Sequence, residues 1–356
     1  MAFPSAAGHS NLPNGNFSPV IYSKQVQLAF RKTSIIEAIT NNDYFGEISN
    51  FGDSVRIIKE PEIAVKAYNR GTQITAQDLD DADFTLVVDQ GNYFAFKVDD
   101  IELAHSHVNW MSLSTERAGY RLRDNYDQDV LGYMTGFEQA TKGAVAGTAR
   151  TAPAGTKAVA TAGADELLAS MKLKKGSFGN ITSSGAGEHS IPVAPRLPGA
   201  TVLSTEVASP LMVIARMGRL LDQQFVDGQG RWLVIDSVFM EMLKDEDSRL
   251  LNSDFGGSGL QNGLVLNNLH GFKVYVSNNL PQIGTGSGTS GSANQNANYG
   301  MIVAGHQSSV ATAEQITKTE AYRDPDSFAD IVRGMHLYGR KILRPEGIVV
   351  AKYNAA

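Results

Sequence analysis

The chain has 356 residues, with 31 Lys and Arg against 37 Asp and Glu, a formal net charge of −6. It has no cysteine, which excludes disulfide frameworks, thiolate metal sites and cysteine nucleophiles and fits a reducing compartment. The acidic balance argues against a protein that coats nucleic acid through clustered Lys and Arg, and the length allows a large core without staples.

Residues 1–19 are rich in Ser, Asn, Gly and Pro and read as an arm without a core of its own. Residues 1–10 carry neither a basic nor an apolar signal segment, and no run of about 18 apolar residues occurs, so neither export nor membrane contact is expected. Over 20–48 a short helical pattern (Val26, Phe30, Ile35, Ile36, Ile39) is stopped by Asn41, Asn42 and Asp43. Residues 54–101 switch to period two: Val55 and Ile57 alternate with Arg56, and Phe84, Leu86 and Val88 with Thr85 and Asp89. The polar stretch 69–83, with Asp78, Asp80, Asp81 and Asp83, joins these strands, and Gly91-Asn92 predicts a second turn before a strand over 93–98. An isolated two-stranded hairpin is marginal in water. Such an excursion must lie on another surface, and a neighbouring subunit offers one.

The strongest helix spans 108–134, where Val108, Met111, Ala118, Leu122, Tyr126, Val130 and Tyr133 recur at steps of three, four or seven. Glu116, Arg117, Arg121, Arg123, Asp124 and Asp127 are assigned to its solvent face, with Arg123 and Asp127 at the i,i+4 spacing. At 1.5 Å per residue it is about 40 Å long, a spine for an extended domain. Residues 140–200 turn to Ala, Gly, Thr and Ser and read as loops or an inserted lobe, with a short helix over 165–173. Helices are predicted over 205–226 and 238–251, with Ser204 and Ser237 as N-caps. Strands are predicted over 232–235, 273–277, 299–304, 313–322, 328–338 and 342–353, and 284–298 is a Gly/Ser/Asn loop.

The search for chemistry is largely negative. There is no G-x-x-x-x-G-K-[ST], no strand-to-helix G-x-G-x-x-G and no G-x-S-x-G. His105 and His107 share a strand face but have no carboxylate partner nearby, and the acidic run 78–83 lacks the glycine and terminal Glu of a calcium loop. Asn16-Phe17-Ser18 and Asn180-Ile181-Thr182 match the glycosylation triplet without an export signal. Asp245-Glu246-Asp247 reads as a solvated helix end, and the basic residues Arg333, Arg340, Lys341 and Arg344 as a polar strand face or salt-bridge partners. No catalytic residue, cofactor or metal is assigned.

The order of parts resembles the major capsid proteins of tailed bacteriophages, the Hong Kong 97-type α+β fold. The resemblance spans nearly the whole chain and is sharpest in Arg231-Trp232-Leu233-Val234-Ile235 before a helix and in Gly271-Phe272-Lys273-Val274-Tyr275-Val276-Ser277 followed by Asn278-Asn279-Leu280-Pro281. It continues through Arg323-Asp324-Pro325, Arg333-Gly334, Tyr338-Gly339 and Arg344-Pro345-Glu346. It implies an N-terminal arm (1–49), an extended hairpin loop (50–103), a spine helix of a peripheral domain (104–140), an axial domain with an inserted lobe (141–322) and return strands of the peripheral domain (323–356). The loop, through Lys66, Tyr68, Arg70, Asp78, Asp80 and Asp81, would contact the adjacent subunit. Pentamers and hexamers of the chain would enclose loosely held double-stranded DNA in a virion assembled in the host cytoplasm, with scaffolding, portal and decoration proteins as partners. The residues alone point the same way, because a coreless arm and a hairpin too long to support itself suit contacts with copies of the chain. The alternatives are a bacterial compartment shell of similar fold and a carboxylate hydrolase around Asp236 or Asp245.

Overall fold

The computed structural model describes residues 34–43, 54–58, 63–71, 73, 76–78, 83–101, 110–135, 137–138, 157–158, 167–173, 175–178, 191–193, 208–244, 268–283 and 299–355. In chain order they form α1 (Ile36–Ile39), β1 (Ser54–Ile58), β2 (Asp83–Val87), β3 (Gln90–Asp99) and α2 (Trp110–Thr135). Short strands follow: β4 (Phe137–Glu138), β5 (Lys157–Ala158), β6 (Lys172–Leu173) and β7 (Ile191–Val193). Then come α3 (Pro210–Gln223), β8 (Arg231–Ile235), α4 (Ser237–Lys244), β9 (Asn268–Leu269), β10 (Phe272–Val276) and β11 (Gln282–Ile283). The chain ends in four longer strands, β12 (Tyr299–His306), β13 (Val310–Arg323), β14 (Ala329–Ile342) and β15 (Ile348–Ala355).

The run Trp232-Leu233-Val234-Ile235 is apolar at every position, the signature of a strand covered on both faces. It lies inside a sheet of order β6-β15-β12-β8-β10-β9, with β7 beside β15 and β11 beside β12. Alternate side chains point to opposite faces. Leu233 and Ile235 pack with Val213, Met217 and Leu221 of α3 and Phe239 and Leu243 of α4. Trp232 and Val234 pack with Val130, Leu131 and Met134 of α2 and with Ile36 and Ile39 of α1. The sheet is therefore sandwiched between two helical layers, and each buried Val, Leu or Ile contributes about 1.5–3 kcal/mol.

A second sheet, β13-β14-β3, is wholly antiparallel. One of its faces rests on α2 through Tyr338 and Tyr126, while the other leaves Tyr93, Tyr322 and Met335 exposed. β1 and β2 pair antiparallel in register from Ser54↔Val87 to Ile58↔Asp83, so the two expected strands do pair with each other.

Several boundaries differ from the sequence reading. Gly91-Asn92 is no turn: β3 runs through both residues to pair with β14, not β2. Ten residues of ladder outweigh the turn preference of one glycine, and Gly91 is used for space, since a Cβ there would lie 2.9 Å from Leu337 Cδ2. The helix expected over 205–226 begins at Pro210, capped by Ser209, whose Oγ accepts from the Met212 N–H at 3.3 Å. Proline at the first helical position is pre-set for that role. The next helix is capped by Asp236 rather than Ser237, with the Phe239 N–H donating to Asp236 Oδ1 at 2.9 Å, and it is described to Lys244. The predicted helix over 165–173 is a single 3-10 turn, Ala169–Met171, running into β6.

The strand expected over 342–353 is broken by a 3-10 turn at Pro345–Gly347, where proline has no N–H for the ladder. β14 and β15 thus enter different sheets. The final segment is divided between them, and β13, grouped above with 141–322, pairs with β14 instead. The arm 1–33, His105 and His107, Asp80 and Asp81, Asn180, Ser204, 245–251 and 284–298 lie outside the described residues.

Candidate functional site

The spine helix α2 is buried nearly all round in its last turns, and its acids there are not on a solvent face. Asp124, Asp127 and Asp129 are all buried. At about 100° per residue they project in three directions, and each holds a different part of the chain. Asp124 accepts from Asn279 Nδ2 at 3.0 Å and Gln128 Nε2 at 3.2 Å and lies 3.6 Å from Arg121 Nη1. Asp127 accepts from Ser34 Oγ at 2.8 Å. Arg123, expected to pair with Asp127, forms its ion pair with Glu37 of α1. Asp129 accepts from Tyr338 Oη at 2.8 Å and is ion-paired to Arg340, both on β14.

Asp127 makes the cost of this arrangement measurable. Burial raises its carboxyl to about 6, against the opposing pull of Ser34, the Ile35 backbone and Arg123. A raised carboxyl pKa means the folded chain binds the proton more tightly than the unfolded chain. Stability from this group is therefore full below about pH 4 and is lost as pH rises through about 6. Asp127→Asn is expected to stabilise the unassembled chain at pH 7 by about 1–2 kcal/mol and to flatten its stability between pH 4 and 6. Thermal melts across that range check this; an unchanged pH slope would refute it.

Around Asp129 the return strand, the loop base and the helix interlock. Asn92 Nδ2 of β3 donates to Tyr338 Oη at 3.3 Å, and the Arg340 guanidinium stacks over the Tyr133 ring at 5.0 Å. Tyr126 meets both Tyr338 and His336 edge-on, at 4.9 and 5.5 Å. His336 Nε2 lies 3.4 Å from Glu314 Oε1. Of the basic residues near the C-terminus, Arg333 pairs with Glu320 at 2.9 Å and stacks over Tyr322 at 4.9 Å, so Arg333 and Arg340 are salt-bridge partners. Arg344 is exposed beside the turn of Pro345 and Glu346. Gly334 gives room to Phe94, whose ring a Cβ would meet at 2.3 Å, and Gly339 lies under the backbone of Val87 and Val88.

The loop projects from this anchor. Every residue of 63–71 is exposed, including Lys66, Tyr68 and Arg70, and so is Asp78. Ile63, Val65 and Tyr68 are 69%, 97% and 66% exposed. The Ala64 N–H donates to Gln77 Oε1 at 3.0 Å, tying the two arms of the excursion together. Sequence reasoning chose Lys66, Tyr68, Arg70 and Asp78 here and passed over Ile63 and Val65, whose apolar spacing was the available signal.

At the far end of the second sheet the motif around Arg323 and Pro325 forms a braced turn. Lys97 Nζ reaches Asp324 Oδ2 at 2.5 Å, Ser327 Oγ donates to the same oxygen at 2.6 Å, and the Asp326 N–H donates to Asp324 Oδ1 at 3.1 Å. These bonds, Lys97 first, hold the Asp324 carboxyl down at about 2. Arg323 pairs with Asp100 and lies 3.5 Å from Asp330. Phe328 stands exposed on the turn, its carbonyl accepting from the Asp100 N–H at 3.1 Å, and Ile101, one residue further along, is exposed as well.

Asp236, one of the two hydrolase candidates, is buried. Its carboxylate accepts from the Tyr353 hydroxyl at 2.5 Å as well as from the Phe239 N–H, a cap inside the core, and burial raises its pKa. Among the described residues no group of three or more His, Asp or Glu is placed to hold a metal ion.

The sequence matches no protein-family model and no curated protein. The fold matches solved structures over nearly its whole length. A chain from Mycobacterium phage Che8 is 22% identical with a TM-score of 0.64, over 94% of this chain and 97% of that one. A chain of the capsid of cyanophage P-SCSP1u is 19% identical, TM-score 0.64, over 98% and 95%. A chain of the capsid of an empty GTA particle is 13% identical, TM-score 0.57, over 97% and 98%. The protein has the Hong Kong 97-type capsid fold, an α+β arrangement of extended loop, spine helix and two larger sheets among the described residues.

Proposed function

We propose that this protein is the major capsid protein of a tailed phage, the repeating subunit of an icosahedral head that encloses double-stranded DNA. The observation that carries the reading is the excursion between β1 and β2. A stretch with no buried residue over 63–71, bearing Ile63, Val65 and Tyr68, has no core of its own to keep it extended, and a neighbouring subunit supplies one. The braced turn with Phe328 and Ile101 is a second contact. Rings of five and six copies tile the shell through such heterologous contacts, each modest alone and strong in number. The mildly acidic subunit lets packed DNA lie against the wall without adhering. Scaffolding, portal and decoration proteins are the partners such a head uses, and the virion, built in the host cytoplasm, is where the chain works. The shell role assigns no catalysis to any residue.

Negative-stain microscopy of the purified chain, alone and with a scaffolding protein, is expected to show rings or closed particles. Deleting residues 69–81 is expected to leave the monomer's melting temperature within a few degrees of the parent and to abolish closed particles. Monomers under every assembly condition, or undiminished particle yield after the deletion, would overturn the reading.

A further inference from the structure

Between α3 and β8 the chain turns through residues that include Phe225, 96% exposed. Its φ is +57°, a left-handed conformation that disfavours any residue with a Cβ, and helix ends usually place glycine there. Exposure and strain thus coincide at one aromatic residue. The loop is nonetheless held firmly. Arg231 Nη2 donates to the Val226 carbonyl at 2.6 Å and pairs with Asp222 at 2.7 Å, while its Nε donates to the Asp227 carbonyl at 2.8 Å. His306 Nε2 meets the Gln229 carbonyl at 2.9 Å. The clamp presents Phe225 outward in a fixed pose, and an aromatic anchor that is ordered before binding loses little entropy on docking.

We propose that Phe225 anchors a contact between copies, seated on the outer face of α3 of the next copy in a ring. The inference rests on the shell reading and adds to it the residues of one interface. Charge selects the seat. Phe225 is flanked by exposed Asp227 and by Asp222, whose carboxylate is shared with Arg231 yet still exposed, so its receiving surface needs an apolar floor and a cationic rim. The outer face of α3 has both: Met212, Ala215 and Arg219 are exposed on it, at the three- and four-residue spacing that aligns side chains along a helix. A methionine sulfur packs favourably against an aromatic ring, and a guanidinium over its face. Met212 and Phe225 lie at opposite ends of α3, roughly 20 Å apart along its axis, so Phe225 cannot reach the Met212 of its own chain. Contact between two different patches is the heterologous kind that closes rings.

The absence of cysteine makes the test clean. Chains carrying Met212→Cys and Phe225→Cys together are co-assembled with an equal amount of wild type under reducing conditions, and the particles are then oxidised. A disulfide requires Cα atoms within about 7 Å, so any bond formed joins two copies. Covalent dimers and higher multimers on a non-reducing gel are expected, with none from either single variant. Phe225→Gly, which suits the backbone, is expected to melt no lower than wild type yet to yield at least tenfold fewer closed particles. Oxidised particles that run as monomers, or full particle yield from Phe225→Gly, would overturn this contact and leave the shell reading standing. Wild-type chains that never assemble would overturn both.

Discussion

Replacing Arg340 with Met is expected to destabilise the unassembled chain by about 3–5 kcal/mol, because it leaves the buried Asp129 carboxylate without its counter-charge. Arg340 itself is nearly buried; burial pulls its pKa down to about 10 while Asp89 pushes it back up. The guanidinium therefore sits between a spine-helix acid and an acid at the base of the extended loop, and over the face of Tyr133. A buried pair is expensive to break from one side and much less so to remove whole. Arg340→Met combined with Asp129→Asn should thus recover about 1–3 kcal/mol of the single variant's loss, since Asn still accepts from Tyr338. Denaturant melts of the two singles and the double give the coupling directly. Additive losses would show that the two side chains do not act as a pair.

The sequence carried the architecture further than it carried the site, for a physical reason visible in particular elements. The period-two pattern around Val55 and Leu86, the long 3.6-residue pattern of α2 and the continuous apolar run of β8 are local signals, and all three elements formed. Boundaries failed where a single residue's preference competed with pairing: Gly91 was read as a turn although ten residues of β3 have a partner in β14. The acids of α2 were misplaced because Asp124 and Asp127 look like a solvated face until their partners are known. Those partners, Ser34 and Asn279, are 93 and 155 residues away in the chain.

Gly339 marks where that anchor meets the loop. A Cβ there would lie 2.3 Å from the carbonyl oxygen of Val87 and 3.0 Å from Val88 Cα, and these are backbone atoms with no rotamer to relieve them. On the other side Gly339 pairs with Ala313 of β13, so β14 has no free direction in which to retreat. The strain falls on the base of the loop, just where Leu86 is buried with Ala311, Ala313 and Leu343. Gly339→Ala is expected to cost about 2–3 kcal/mol, the upper range for overpacking, and to re-aim the excursion between β1 and β2. Closed particles should be lost even where melts show the monomer still folded, and protease should cut between β1 and β2 faster than in the parent. Gly119→Ala is the matched control. Nothing lies within 4 Å of its added carbon, and alanine on an exposed helical position gains about 0.5–1 kcal/mol. If Gly339→Ala assembled as well as Gly119→Ala, the loop would have to reach its neighbour from a different base than β2 and Gly339 provide.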